Sequence, residues 1–211
     1  MSKPLPAAVR TYATALRMLL VLTVILGIAY PLLVTGISQV AFADKANGSV
    51  VTSDGKEIGS SLLGQNYDLP KTNPNDPKET PKPDPKWFQP RPSAAGYDPH
   101  GSAASNLGPN DDGLTKTIEQ RRTDVAAFDK VDPAGVPADA LTASGSGLDP
   151  HISTAYAKEQ VNRVVQARGG KVTADQLNAL ISKYTDGRSL GFLGAPGVNV
   201  VLLNKALSEL Q

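Results

Sequence analysis

Four residues with reactive or ionisable side chains fall within eight positions, 144 to 151, of one short stretch, Leu141 to Ser153, which reads LTASGSGLDPHIS. Ser144, Ser146, Asp149 and His151 are the nucleophile, acid and base types of a hydrolytic triad, with Gly145 and Gly147 between them. A membrane-anchored serine hydrolase using Ser144 or Ser146 with His151 is therefore one reading of this stretch. The spacing argues against it, because triad members come from separate parts of a fold and meet in space. The nucleophile-elbow pattern G-x-S-x-G also fails at both serines: Thr142 stands two before Ser144, and Ser144 itself two before Ser146. The plainer reading is a Gly/Ser turn whose hydroxyls and Asp149 satisfy backbone donors ahead of a helix starting near Ser153. Between the two lies a third: the turn and the helix N-terminus present N–H groups to a partner's carboxylate or to a phosphate.

Other chemistries are poorly supplied. The chain has no cysteine and two histidines, so thiolate sites and disulfides are excluded. His100 lies in a different loop from His151, which leaves no metal-ligand cluster. Neither a Walker A pattern nor a dinucleotide fingerprint occurs, so the chain does not read as a self-sufficient ATPase. Gln160, Arg163 and Arg168 follow the turn on the expected helix, where they read as a solvated polar face.

The elements that must position these residues are short. Asp111 or Asp112 caps a helix to about Phe128, with Leu114, Ile118, Val125 and Phe128 on one face. A helix from Ser153 to Arg168 carries Ala157, Val161, Val164 and Val165 on its apolar side and stops at Gly169-Gly170. Thr173 and Gln176 form a capping box for a helix to about Tyr184. Val198–Val201 reads as a strand and Leu202–Leu210 as a closing helix. Near the start of the domain, Ser49–Thr52 and Glu57–Leu63 suit a hairpin around Ser53-Asp54-Gly55. Residues 69–86 are rich in Pro and Lys and nearly devoid of apolar side chains, which predicts a disordered insert.

All of this follows an apolar stretch, Met18 to Ala43, that carries no charge. It is long enough to cross a bilayer and longer than the apolar region of a signal peptide. Lys3, Arg10 and Arg17 precede it with no acid among them, which predicts a cytoplasmic N-terminus and an extracytoplasmic remainder at the cell membrane. Three of the 21 Lys and Arg lie in that leader, so 18 face 20 acids in the rest of the chain. Such a surface gives no support for nucleic-acid binding. The expected organisation is a leader at 1–17, a transmembrane helix at 18–41 and a domain at 42–211. The fold class is α+β: one N-terminal span followed by one small mixed α/β domain. Within the span, Thr23 and Gly27 form a small-xxx-small pair, and Pro31 is expected to kink or unwind the helix.

Several ordered blocks resemble the C subunit (KdpC) family of the bacterial Kdp potassium-transporting P-type ATPase. They include Tyr30-Pro31 through Thr35-Gly36, SSLLGQ at 60–65, RPSAAG at 91–96, SNLGP at 105–109, LTASGSGLDPHIS at 141–153 and LGFLG at 190–194. The resemblance implies a subunit with no chemistry of its own and no intrinsic cofactor. Its partners would be a potassium-channel-like subunit, the P-type ATPase subunit and a small single-span subunit. Thr23, Gly27, Tyr30, Pro31, Thr35 and Gly36 then become a packing surface for another subunit. The family is also credited with raising the ATP affinity of the ATPase subunit. If ATP is contacted, Ser144–Gly147, Asp149, His151, Gln160 and Arg163 are the expected ligand or partner residues. That role conflicts with the predicted topology, because ATP binds on the cytoplasmic side.

Overall fold

The computed structural model describes residues 6–73, 75, 76 and 79–210. Lys3 and part of the leader therefore lie outside the described residues. The chain forms two compact units, one ending at Ser49 and one beginning at Val50.

The first unit is a helix from Ala7 to Ala41, long and apolar enough to cross a membrane. At about 1.5 Å per residue it exceeds the hydrocarbon thickness of a bilayer. It is not uniform. α1 (Ala7–Leu22) passes into a π-helical segment (Thr23–Ala29) and then α2 (Tyr30–Ala41). Pro31 explains the change: it has no N–H, and its ring conflicts with the carbonyl four residues back. The helix widens ahead of it, and the Tyr30 N–H reaches the Ile25 carbonyl, five residues away. Thr11 and Thr14 return their hydroxyls to the carbonyls of Ala7 and Arg10, so neither is left unsatisfied in an apolar setting. A single turn, α3 (Ala43–Ala46), follows.

The second unit starts with the expected hairpin, β1 (Val50–Ser53) against β2 (Lys56–Ser60), antiparallel with a bulge at Val51/Thr52. The described residues of 69–86 carry local bonds. The Glu79 carboxylate accepts the N–H groups of Thr72 and Asn73, and Leu69 N–H bonds to Lys82 O. Helix α4 (Asp112–Asp129) begins where the Asp111 side chain accepts from Gly113 and Leu114. After α5 (Ala138–Leu141), β3 (His151–Ile152) pairs with β5 (Gly197–Asn199), which also pairs with β4 (Thr185–Asp186). The result is a three-stranded antiparallel sheet in the order β3-β5-β4.

Two expectations are corrected. The helix expected over Ser153–Arg168 is two helices, α6 (Thr154–Glu159) and α7 (Val161–Ala167), separated at Gln160. The strand expected to run to Val201 ends at Asn199. The Asn199 side chain accepts the Leu202 N–H, so α9 (Val200–Ser208) starts three residues after the strand begins. The capping box at Thr173 forms as read, opening α8 (Ala174–Lys183). The core gathers Phe88, Ile152, Val164, Leu177, Ile181, Val198, Leu203 and Leu207 between these helices and the small sheet.

Candidate functional site

The segment Pro85-Lys86-Trp87-Phe88-Gln89-Pro90 packs into this core: it turns at Pro85 and Lys86, where the Trp87 N–H reaches the Asp84 carbonyl, and continues through Phe88 and Gln89 outside any strand. A stretch so rich in proline cannot join a sheet, because each Pro lacks a ladder donor. Its buried peptide groups need partners nonetheless. Two side-chain amides supply them. Gln160, fully buried, accepts the Gln89 N–H on Oε1 at 2.6 Å and donates Nε2 to the Gln89 carbonyl at 3.1 Å. Asn204 does the same for Phe88, at 3.0 and 2.9 Å. Each amide stands where a neighbouring strand would.

Arg163 locks this arrangement. Its guanidinium donates to Gln160 Oε1 at 2.6 Å and to the carbonyls of Pro85 and Trp87 at 2.7 and 2.9 Å. It pairs with the buried carboxylate of Asp129 and lies 4.4 Å above the Phe128 ring. Burial pushes the Asp129 carboxyl up, and Arg163 pulls it back toward the ionised form. Nearby, Glu159 is raised to about 7, first by burial and then by the charges of Asp129 and Asp139. Gln160 and Arg163 thus belong to a dry structural network, not to the solvated polar face expected of them.

The 85–90 segment continues to residue 103, and 85–103 together form a strap whose second half is served by the 141–153 segment. Ser144 Oγ accepts the Gly147 N–H at 2.9 Å, Ser146 Oγ the Leu148 N–H at 3.1 Å, and Asp149 Oδ1 the His151 N–H at 2.9 Å. The turn's carbonyls receive other loops: Gly147 O from the Ser93 hydroxyl, Ser146 O from Ser102 and Ala103, Leu148 O from Gly64 N–H. Arg91 reaches Asp149 Oδ2 at 3.2 Å and Thr142 O at 3.3 Å. Gly147 has φ +68, and a Cβ there would lie 2.6 Å from Ala103 O and 2.8 Å from Ala95 Cβ. Gly145, by contrast, faces open space.

The hydrolase reading fails on this geometry. His151 turns Nε2 to Asp186 Oδ2 at 3.1 Å and Nδ1 toward Asp149 Oδ1 at 3.4 Å, and both serine hydroxyls accept backbone N–H groups. The anion-presenting reading loses two of its donors in a related way. At the start of α6, Ser153 N–H is held by Asp139 at 2.6 Å and Tyr156 N–H by Ser153 Oγ at 3.0 Å. Asp149 is held below the usual carboxylate range: burial opposes this, and the His151 hydrogen bonds with the Arg91 charge outweigh it. His151 is raised, by its bond to Asp149 first and Asp186 further, against burial. Among the described residues no group of three His, Asp or Glu side chains could hold a metal ion.

In the anchor, Thr23, Gly27, Tyr30, Pro31, Thr35 and Gly36 are all exposed. A Cβ on Gly27 would meet Thr23 Cγ2 at an ordinary 3.8 Å, and one on Gly36 would meet nothing. Around Gly36, an apolar groove of about 490 Å³ is lined by Leu32, Leu33, Ile37, Val40 and Ala41.

Sequence reasoning passed over Asp129, Gln89 and Asn204. A signal was available for Asn204, a lone amide in an apolar helical run (VVLLNKAL), where an amide faces the core only if it has a backbone to serve.

The fold and the site together define a class: a small α+β domain behind one span-length helix, its polar clusters turned inward to hold its own chain. Comparison with known proteins supplies the family. The family model described as "KdpC: K+-transporting ATPase, c chain" matches residues 12–209. A Kineococcus radiotolerans protein named potassium-transporting ATPase KdpC subunit is 48% identical over 209 residues, covering 98% of this chain and 97% of its own. Proteins of the same name from Streptomyces coelicolor and Mycobacterium tuberculosis are 44% and 46% identical, covering 100% and 95% of this chain and 97% and 99% of their own lengths. The chain belongs to the KdpC family.

Proposed function

We propose that this chain is the non-catalytic, single-span subunit of a potassium-transporting P-type ATPase, anchored in the cell membrane by the uncharged part of the Ala7–Ala41 helix, from Met18 onward. Its task is assembly and stabilisation of the complex around the channel-like subunit, the ATPase subunit and a small single-span subunit. The observation that carries this reading is the inward commitment of five candidate polar side chains. Ser144, Ser146, Asp149, Gln160 and Arg163 each bond to this chain's own backbone or side chains, which suits a rigid accessory domain. The basic leader, with Arg10 and Arg17 ahead of the span and no acid, supports a cytoplasmic N-terminus and an extracytoplasmic domain. The groove around Gly36 supports close approach of a neighbouring membrane helix.

A role in raising ATP affinity, which the family resemblance brings with it, is proposed to act through the assembled complex; the bonding of Gln160 and Arg163 to this chain's own groups supports that route.

The test is genetic and biochemical. Deleting the gene in a strain that depends on high-affinity uptake is expected to abolish growth at micromolar potassium. The remaining subunits should then fail to co-purify as an active ATPase. Normal assembly and uptake without this chain would overturn the proposal.

A further inference from the structure

A cleft of about 630 Å³ opens between Trp87 and the turn that follows α7. Its side chains take no part in the networks described above. Three cations line it, Lys86, Arg168 and Lys171, against one carboxylate, Asp84. Among the described residues none of the three has an ion-pair partner. The backbone brings them together. Asp84 Oδ1 accepts the Lys86 N–H at 2.9 Å, which turns the chain ahead of Trp87. On the other wall α7 ends at Ala167. Gly169 and Gly170, at φ +62 and +77, reverse the chain there, and the Lys171 N–H meets the Arg168 carbonyl.

Arg168 is fixed in place. Its Nε donates to the Lys86 carbonyl at 3.0 Å and its Nη1 to the Leu207 carbonyl at 3.3 Å, and Cζ lies 4.7 Å from the centre of the Trp87 ring. Nη2 keeps its N–H groups without a partner among the described residues. The plain reading of such cations is that they answer carbonyls at helix C-termini, since α7 and α9 both end at this cleft. That accounts for the Arg168 bond to Leu207 and for neither lysine. Lys86 and Lys171 are exposed, and their ammoniums bond no carbonyl among the described residues. Burial also works against the Arg168 charge: it lowers the guanidinium's pKa, and Asp84 restores part of it. A counter-anion relieves that cost.

The balance of charge selects the anion. Three cations and one carboxylate leave a positive excess, and two helix C-termini, at about half a negative charge each, reduce it to near one. A single negative charge matches the remainder, and a doubly charged phosphate ester exceeds it. The cleft is also far larger than a simple inorganic ion, and Trp87, Ala167 and Leu210 give it an apolar side.

We infer that this cleft binds a singly charged organic carboxylate that carries an apolar or aromatic group. The carboxylate sits on Arg168 Nη2 and the two ammoniums, and the apolar group lies against Trp87, Ala167 and Leu210. The inference goes beyond the accessory-subunit reading and does not depend on it. A small free acid and the C-terminal end of a peptide chain offer the same chemistry, and the test separates them.

Trp87 is the chain's one tryptophan, so its fluorescence reports on this cleft alone. The purified full chain in detergent is titrated with N-acetylphenylalanine, with its neutral amide and with phenyl phosphate. A saturable change is expected with the acid, and binding at least tenfold weaker for the amide. Phenyl phosphate should also bind more weakly than the acid. Arg168→Gln should weaken binding of the acid at least tenfold. Because Arg168 also holds two carbonyls, Lys86→Gln with Lys171→Gln is the second variant. It removes no side-chain bond among the described residues, should keep the wild-type Tm, and should weaken binding of the acid several-fold. An acetylated tripeptide ending in phenylalanine that binds more tightly than N-acetylphenylalanine assigns the ligand to a peptide end. Equal or weaker binding assigns it to a free acid. Absence of a saturable change, equal affinity for acid and amide, or tighter binding of phenyl phosphate overturns the inference. A response matched by acetate alone, or unchanged binding in the double lysine variant, overturns it as well.

Discussion

Gln160 and His151 stand on either side of one short helix, α6, and both networks hold the same strap, residues 85–103. They do so in different media. The Gln160 network is dry: Gln160, Arg163 and Asp129 are all buried, and their partners are peptide groups of Pro85, Trp87 and Gln89. The His151 network is wetted: His151 and Asp149 side chains are 37% and 29% exposed, and Asp186 is 75% exposed. The same kinds of contact, a charge pair plus side chain to backbone bonds, thus carry different free energies. In the interior an orphaned partner loses its hydration as well as its bond, whereas at the surface water replaces what is lost. The dry network should set the stability of the domain and the wetted one its local closure.

The largest effect should come from Arg163→Met, which keeps the side-chain volume and removes the charge. Asp129 would be left buried without its cation, and three carbonyl or amide acceptors would lose their donor. The expected loss is about 3–5 kcal/mol, or roughly 10 °C in Tm for a domain of this size. Thermal unfolding of the full chain followed by circular dichroism measures it. A change under about 1 kcal/mol would mean that the pair is not dry and would dissolve the contrast with His151.

Gly147→Ala should rank second. The added methyl meets Ala103 O and Ala95 Cβ, and the backbone stands at positive φ. The cost is about 2–3 kcal/mol, less than for Arg163 because the 93–103 loop can shift outward into solvent. Gly145→Ala, with nothing within 4 Å, is the matched control and should change little. The pair separates close approach from mere glycine content. Faster limited proteolysis in 93–103 for Gly147→Ala alone would locate the damage.

What could be read from the chain beforehand follows the reach of each signal. The capping box at Thr173, the Asp111 cap and the β1–β2 hairpin depend on neighbours within a few residues, and all three form. The family likewise followed from contiguous blocks. The break at Gln160 and the strap through the core depend on contacts across 71 and 116 positions, which no local pattern reports. The 141–153 segment reads in sequence as a set of reactive side chains, and in the structure its hydroxyls and carboxylate bond backbone donors. Its Ser, Asp and Gly residues signal a turn under many constraints, and those constraints come from Gly64, Arg91, Ser93 and Ala103, far off in sequence. Residue type alone could not distinguish groups held for chemistry from groups held for folding.

The smallest effect, and the sharpest probe of the wetted network, is the titration of His151. The charged groups facing it are Asp149 and Asp186, and both favour the imidazolium, so its folded pKa lies above the unfolded value near 6.5. A raised histidine contributes stability that is complete below about 6.5 and is lost as pH rises through the folded value. Exposure limits the contribution to less than about 1 kcal/mol. Glu159, raised to about 7, acts in the same direction, because its protonated form is favoured in the fold and stability falls as pH rises from its ordinary value toward 7. Asp149, held low, matters only in acid, where its stabilisation is lost as pH falls through its folded value. Denaturant unfolding at pH 5.5 and 8.5 should therefore show a decline in the wild type that is smaller in His151→Asn. The difference between the two chains isolates the histidine from Glu159. An unchanged decline in the variant would show that the Asp149–His151–Asp186 contacts carry no net free energy, and that closure of the 141–153 turn rests on its backbone bonds alone.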